Sequence, residues 1–182
     1  MSRLLTLLPA GLASLLALAA CSPALNWREV RLDNTPLSVL LPCKPDKAEK
    51  IVPLGGQPVT LRMWGCDAAG ATFAVAVADL GDPARAAPVL AQWQALTLAH
   101  MKAGPVGADA GTSQRLPLKL PGAADPPAPV RVVAQGQRAD ASPVQGQAAY
   151  FAHGAQVFQA VMYAKEISPE AAETFFSSFK FQ

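Results

Sequence analysis

Histidine is scarce in this chain: His100 and His153 are the only two, and neither stands in a pattern that metal or hydrolase chemistry needs. No His-Glu-x-x-His run sets two ring nitrogens on one helix face, and no Gly-x-Ser-x-Gly elbow presents a serine on a strained turn. A Ser-His-Asp or Cys-His arrangement would have to borrow one of these two rings. His100, beside an apolar stripe, reads instead as a helix-end residue supporting the last carbonyls, and His153 as a turn residue. No glycine-rich loop follows a strand and opens a helix, so the usual phosphate cradle of nucleotide chemistry is missing. Charge is also low, at 15% of residues with a formal net charge of +2. No basic patch or acidic tail interrupts it, which argues against a nucleic-acid partner. Low charge with abundant alanine suits a packed domain and excludes a disordered one.

Acids are absent before Glu29, and a single cation, Arg3, precedes an uncharged, Leu- and Ala-rich run over residues 4–20. That is the layout of a secretion signal. The run is almost long enough to span a bilayer, which takes about 20 apolar residues, but Pro9, Gly11 and Ser14 weaken it and no Lys or Arg closes it before Arg28. A permanent membrane helix is therefore the lesser reading. The run ends in Leu18-Ala19-Ala20-Cys21, which resembles the lipobox of bacterial lipoproteins at every position. The competing readings are a buried structural cysteine and ordinary cleavage at Ala17-Leu18-Ala19. The resemblance implies that residues 1–20 are removed, that Cys21 becomes the acylated first residue, and that residues 21–26 form a tether. Two or three acyl chains make such an anchor stable, so the membrane partner is reached through Cys21. In Gram-negative families an Asp after the cysteine tends to retain the protein at the inner membrane. Ser22 stands there, so the resemblance points to the outer membrane, with the domain in the periplasm.

Residues 27–182 amount to one domain, long enough to bury a sizeable core. Loss of Arg3 with the signal lowers the net charge by one. With Cys21 committed to lipid, Cys43 and Cys66 remain as a pair in an oxidising compartment, and a disulfide between them is expected; two separate buried thiols are the alternative. A metal site is disfavoured because no His or further thiol lies nearby.

Along the chain, residues 27–32 and 37–41 read as strands separated by Asp33-Asn34-Thr35-Pro36. Residues 51–54 and 58–64 flank Gly55-Gly56, a hairpin pair, and a second reversal at residues 67–70 leads into a strand over 72–80. This is a meander, with Cys43 and Cys66 near adjoining strand ends. Strand alternation sets Cys43 in phase with Leu37, Val39 and Leu41, but Cys66 in phase with Arg62 and Trp64, so a disulfide requires a bend at Gly65. Asp82-Pro83 starts helical spacing through Val89, Trp93, Leu96 and His100. Two readings stay open: a separate turn over 83–87, or a helix that begins at Pro88. Gly104-Pro105 ends it. The Pro- and Gly-rich stretch from there to Pro129, with one short strand at 114–120, reads as the most mobile region and the first place to seek a binding loop. Strands at 130–138, 145–152 and 155–164 follow, the last two joined at His153-Gly154, and Ser168-Pro169-Glu170 starts a final helix that should close over the sheet.

The expected class is α+β: an antiparallel sheet flanked by a mid-chain helix and a C-terminal helix. This element order, with the ending Phe175-Phe176-Ser177-Ser178-Phe179-Lys180-Phe181, resembles the Mog1/PsbP-like α/β/α sandwich. That resemblance implies a non-enzymatic accessory or binding role with no active site to carry over, and no cofactor is expected. Trp27, Trp64, Trp93, Tyr150 and Tyr163 read chiefly as core aromatics. Trp64 is the exception: pointing with Arg62, opposite to Leu61 and Met63, it is either exposed or covered by a loop, and the two mark a candidate ligand or partner surface. The sequence thus reads as a lipid-anchored envelope accessory or binding module, reaching a protein partner or small ligand. An envelope hydrolase and a structural subunit of an envelope complex are the alternatives.

Overall fold

The computed structural model describes residues 24–107 and 112–182. The signal, the lipobox and Cys21 lie outside the described residues. β1 (Arg28–Arg31) and β2 (Leu37–Leu41) form a hairpin, and β3 (Asp46–Leu54), β4 (Gln57–Ala68) and β5 (Ala71–Asp79) form a meander. A 3₁₀ turn (Pro83–Arg85) leads into α1 (Ala86–His100). β6 (Ser113–Pro117), β7 (Val130–Gln137), β8 (Pro143–His153) and β9 (Gln156–Ala164) follow, then α2 (Pro169–Phe176) and β10 (Lys180–Phe181). The class is α+β and the pairing is antiparallel throughout.

Two sheets form where a single antiparallel sheet is expected. Seven strands pair in the order β3-β4-β5-β9-β8-β7-β6, while β1 and β2 join β10 in a separate three-stranded sheet. The alternation on β5 shows how the layers are divided. Phe73, Val75 and Val77 face a core shared with Leu37, Val39 and Leu41 of β2 and with Phe175 and Phe176 of α2. Ala74, Ala76 and Ala78 point the other way, toward Val89, Leu90 and Trp93 of α1. Small residues on that face leave room for a helix backbone; large ones on the opposite face fill the wider gap to the small sheet. Phe73 packs edge-on against Phe175 at 5.4 Å between centroids, and Phe151 stacks on Phe158 at 5.2 Å. Such pairs add about 0.5–1.5 kcal/mol each beyond area burial.

The turns follow their residues. Gly55 and Gly56 both adopt positive φ, as a type I′ turn demands. His153 pairs with Gln156, so the β8–β9 loop is Gly154-Ala155, one residue later than expected, with positive φ at Gly154 and none at Ala155. Asp82 caps the 3₁₀ turn by accepting from the Ala84 N–H at 2.9 Å, and Pro88 sits in the first turn of α1, where its missing N–H costs no helical hydrogen bond. Both readings of this helix start are thereby replaced by a short turn that flows into α1 at Ala86. The helix stops before Gly104: Lys102 takes φ +52, the Ala103 N–H donates to Leu98 O at 2.9 Å, and the Lys102 N–H to Ala99 O at 3.0 Å. This is a Schellman ending built on lysine.

The Pro-rich stretch is not loose in its second half. Leu120 is buried, Leu118 and Ala123 pack on the core, and the Ala124 N–H donates to Ala152 O at 2.7 Å. Ser168 caps α2 by accepting from the Ala171 N–H. None of the helices formed by the described residues is long and apolar enough to cross a membrane.

Candidate functional site

α1 crosses the alanine face of the large sheet and leaves an open groove along one flank. About 260 Å³ in volume, it is lined by Val52, Pro53, Leu54 and Leu61 from β3 and β4, and by Trp93, Leu96 and His100 from α1, with Thr97 and Tyr163. Leu96 is 50% exposed, and Ile51, 69% exposed, precedes Val52 on the outermost strand. The groove's far end is fixed by the β3–β4 turn, which docks on the helix through the Gly55 N–H donating to Gln92 Oε1 at 2.6 Å. Beyond the helix C-terminus lies a second cleft of about 470 Å³, lined by Thr72, Met101, Lys102, Gln137, Arg138 and Val144 among others. His100 and Tyr163 line both.

Burial sets the electrostatics of this face. The Tyr163 phenol is pushed well above its ordinary value, first by burial and then by neighbouring Tyr150. Burial also raises Tyr150, against hydrogen bonds with Thr97 and Gln159 that hold it down. Gln159 Nε2 donates to Thr97 Oγ1 at 2.7 Å and to the Tyr150 hydroxyl at 3.2 Å, and Thr97 Oγ1 donates to Trp93 O. This polar thread lies beneath the helix.

His100 is the last residue of α1 and is exposed beside the groove, while the last carbonyls are met by the backbone ending itself. His153 is held structurally: its Nδ1 donates to Gly122 O at 2.7 Å and its ring stacks on Phe181 at 4.5 Å. No group of three or more His, Cys, Asp or Glu among the described residues is arranged to hold a metal ion.

Cys43 and Cys66 form a disulfide with Cα atoms 6.1 Å apart. The bend at Gly65 is not needed. β4 runs unbroken from Gln57 to Ala68, and Cys66 faces the gap between the two sheets, as β2's apolar face does from the other side. Opposed sheets turn a phase mismatch into a match.

Trp64 and Arg62 do share a strand face, opposite to Leu61 and Met63. Trp64, however, is only 2% exposed, packed in the core shared with Leu32 and Leu37, and its indole N–H makes no hydrogen bond among the described residues. It is a covered residue, with the β1–β2 turn beside it. Arg62 is half-buried and donates to Asp33 O at 2.8 Å, and with Asp33, Lys47 and Glu49 it borders a shallow hollow at that turn. The groove residues Val52, Leu61 and Leu96 were not singled out by sequence as a surface. The signal that points to them is the helix itself, apolar beyond the single stripe that one packed face requires. No family model matches this chain, and no curated protein matches its sequence.

Proposed function

We propose that this protein is a lipid-anchored accessory or binding lipoprotein of the cell envelope, held at the outer membrane by acyl chains on Cys21 and engaging an apolar ligand or partner segment through the groove beside α1. The observation that carries the binding role is that groove: Val52, Leu54, Leu61, Trp93 and Leu96 present apolar side chains in an open channel, the setting that small-molecule and peptide sites share. The signal layout and lipobox support the anchor, and the Cys43–Cys66 disulfide suits an oxidising compartment. Within the α+β class, α1 packed on one face of the large sheet and α2 on the other support the Mog1/PsbP-like sandwich.

Crosslinking in cells followed by pull-down of the tethered chain tests the role. The expected result is a specific adduct recovered with the native protein and lost in Leu96→Glu. An adduct that Leu96→Glu leaves unchanged would move the interaction away from the groove. Labelled fatty acid tests the anchor: incorporation into the native chain and not into Cys21→Ala is expected, and equal incorporation would overturn it. Ser22→Asp should shift the protein toward the inner-membrane fraction, and unchanged fractionation would count against the outer membrane.

A further inference from the structure

The first described residues, 24–27, and the second cleft lie at the same end of the large sheet. The Asn26 N–H donates to Pro42 O, and Trp27 packs edge-on against Phe73 at 5.8 Å. Thr72, the next residue back and on the opposite face of β5, lines the cleft and pairs with Tyr163, which lines it too, so the tether and the cleft share an end of the sheet though not a face. On the neighbouring strands the same end carries Gln137, paired with Pro143, and the β7–β8 hairpin with Arg138. The C-terminus of α1 arrives there as well, since the Gln137 N–H donates to Met101 O at 2.7 Å. Cys21 is three residues before Ala24, and three residues of chain span at most about 11 Å.

We infer that the cleft formed by Lys102, Arg138, Met101 and Val144 is a site for the headgroup of an anionic phospholipid in the membrane that Cys21 is tethered to. The inference rests on the anchoring at Cys21 proposed above. Its chemistry follows from the lining. Lys102 and Arg138 are exposed at the rim and make no ion pair among the described residues. The nearest acid along that hairpin, Asp140, is engaged by the N–H and hydroxyl of Ser142, which with Arg138 hold its carboxyl below the usual range. Two cations facing one cleft attract a phosphodiester, and Gln137, Thr72 and Tyr163 add polar groups. Met101 and Val144, buried at the floor, suit the glycerol and first methylenes. The helix ending points the same way. Lys102 occupies the left-handed position where glycine would be unstrained, a cost that a binding role for its side chain explains.

The full acylated chain, reconstituted into vesicles of phosphatidylcholine alone or mixed with phosphatidylglycerol, is the test, read by amide hydrogen exchange. Phosphatidylglycerol should slow exchange several-fold at residues 99–104 and 136–144, and phosphatidylcholine should not. Lys102→Asn with Arg138→Gln should abolish the difference; asparagine tolerates the left-handed backbone, and both positions are exposed. Equal protection in both vesicles, or protection that survives the double variant, overturns the site. Equal protection by inorganic phosphate in phosphatidylcholine vesicles overturns the lipid assignment in favour of a free anion. Intact mass of the same preparation separates the two readings: a Cys21 without acyl chains defeats the anchor, whereas an acylated chain without protection defeats the site alone.

Discussion

Cys43, just past β2, and Cys66, within β4, bond across the gap between two sheets that share no backbone hydrogen bonds. The disulfide thus fastens the small sheet to the large one at the end where residues 24–27 leave the core. Its sequence separation of 23 corresponds to about 3 kcal/mol of chain entropy. Denaturant unfolding of the Cys43→Ser, Cys66→Ser double variant should show a loss of that order with the circular dichroism of the native sheet retained. A loss under about 1 kcal/mol would mean that the core alone sets the sheet pairing.

How far the sequence reveals this molecule depends on how local each cause is. The period-2 alternation on β5 and the glycine pair at residues 55 and 56 are local, and they identify strand and turn correctly. The three-stranded sheet is not local: Lys180 and Phe181 pair with Ser38 and Leu37 across most of the chain, and a two-residue strand leaves no pattern to read. Without that partner the alternation calls for a bend at Gly65, because strands that face each other from two sheets read as neighbours in one. The helix ending is hidden for a related reason: a lysine in the left-handed conformation at position 102 gives no signal, while Gly104-Pro105 gives a strong one two residues late. For the site, Cys43 and Cys66 are legible as the pair that remains once Cys21 is set aside by its resemblance to a lipobox. The groove was not, since whether Leu96 is buried or open depends on where β3 and β4 end beneath it.

Met101 is clasped by two glycines of different tolerance. A Cβ at Gly136 would collide with the Met101 carbonyl oxygen, which is backbone and accepts from the Gln137 N–H. At Gly146 the obstruction is the Met101 thioether, 2.6 Å from its methyl end, and a flexible side chain can yield. Gly136→Ala should therefore cost about 2 kcal/mol or more, and Gly146→Ala about 1 kcal/mol. Urea midpoints of the two variants provide the comparison, and a reversed order would contradict this packing.

Trp64 separates a structural residue from a binding one. Its burial predicts that Trp64→Ala lowers stability by about 3–5 kcal/mol, as large-to-small changes in a core do. Arg62→Ala, whose guanidinium reaches only a turn carbonyl, should cost about 1 kcal/mol. Thermal denaturation of both tests the contrast; a neutral Trp64→Ala would return that residue to the surface.

Tyr150 and Tyr163 make the fold sensitive to base. Both phenols are raised above their ordinary value of 10.0, chiefly by burial. In the unfolded chain they ionise near that value, whereas in the folded chain they remain neutral to higher pH. The stabilisation is thus fully present below about pH 10 and is lost as pH rises from there through the folded values, because ionisation then favours the unfolded state. Each tyrosine should steepen the fall by about 1.4 kcal/mol per pH unit in that window. Lysines titrate in the same range, so the comparison must be made against phenylalanine variants, which keep the ring and remove the ionisable oxygen. Tyr163→Phe is the cleaner choice, since Tyr150 also accepts a hydrogen bond from Gln159 whose loss would lower stability at every pH. Unfolding free energies measured by urea titration from neutral pH to about pH 11 should fall less steeply above pH 10 in Tyr163→Phe than in the native chain. Parallel curves would show that Tyr163 ionises as freely in the fold as out of it, and that the wall between the groove and the cationic cleft is open to water.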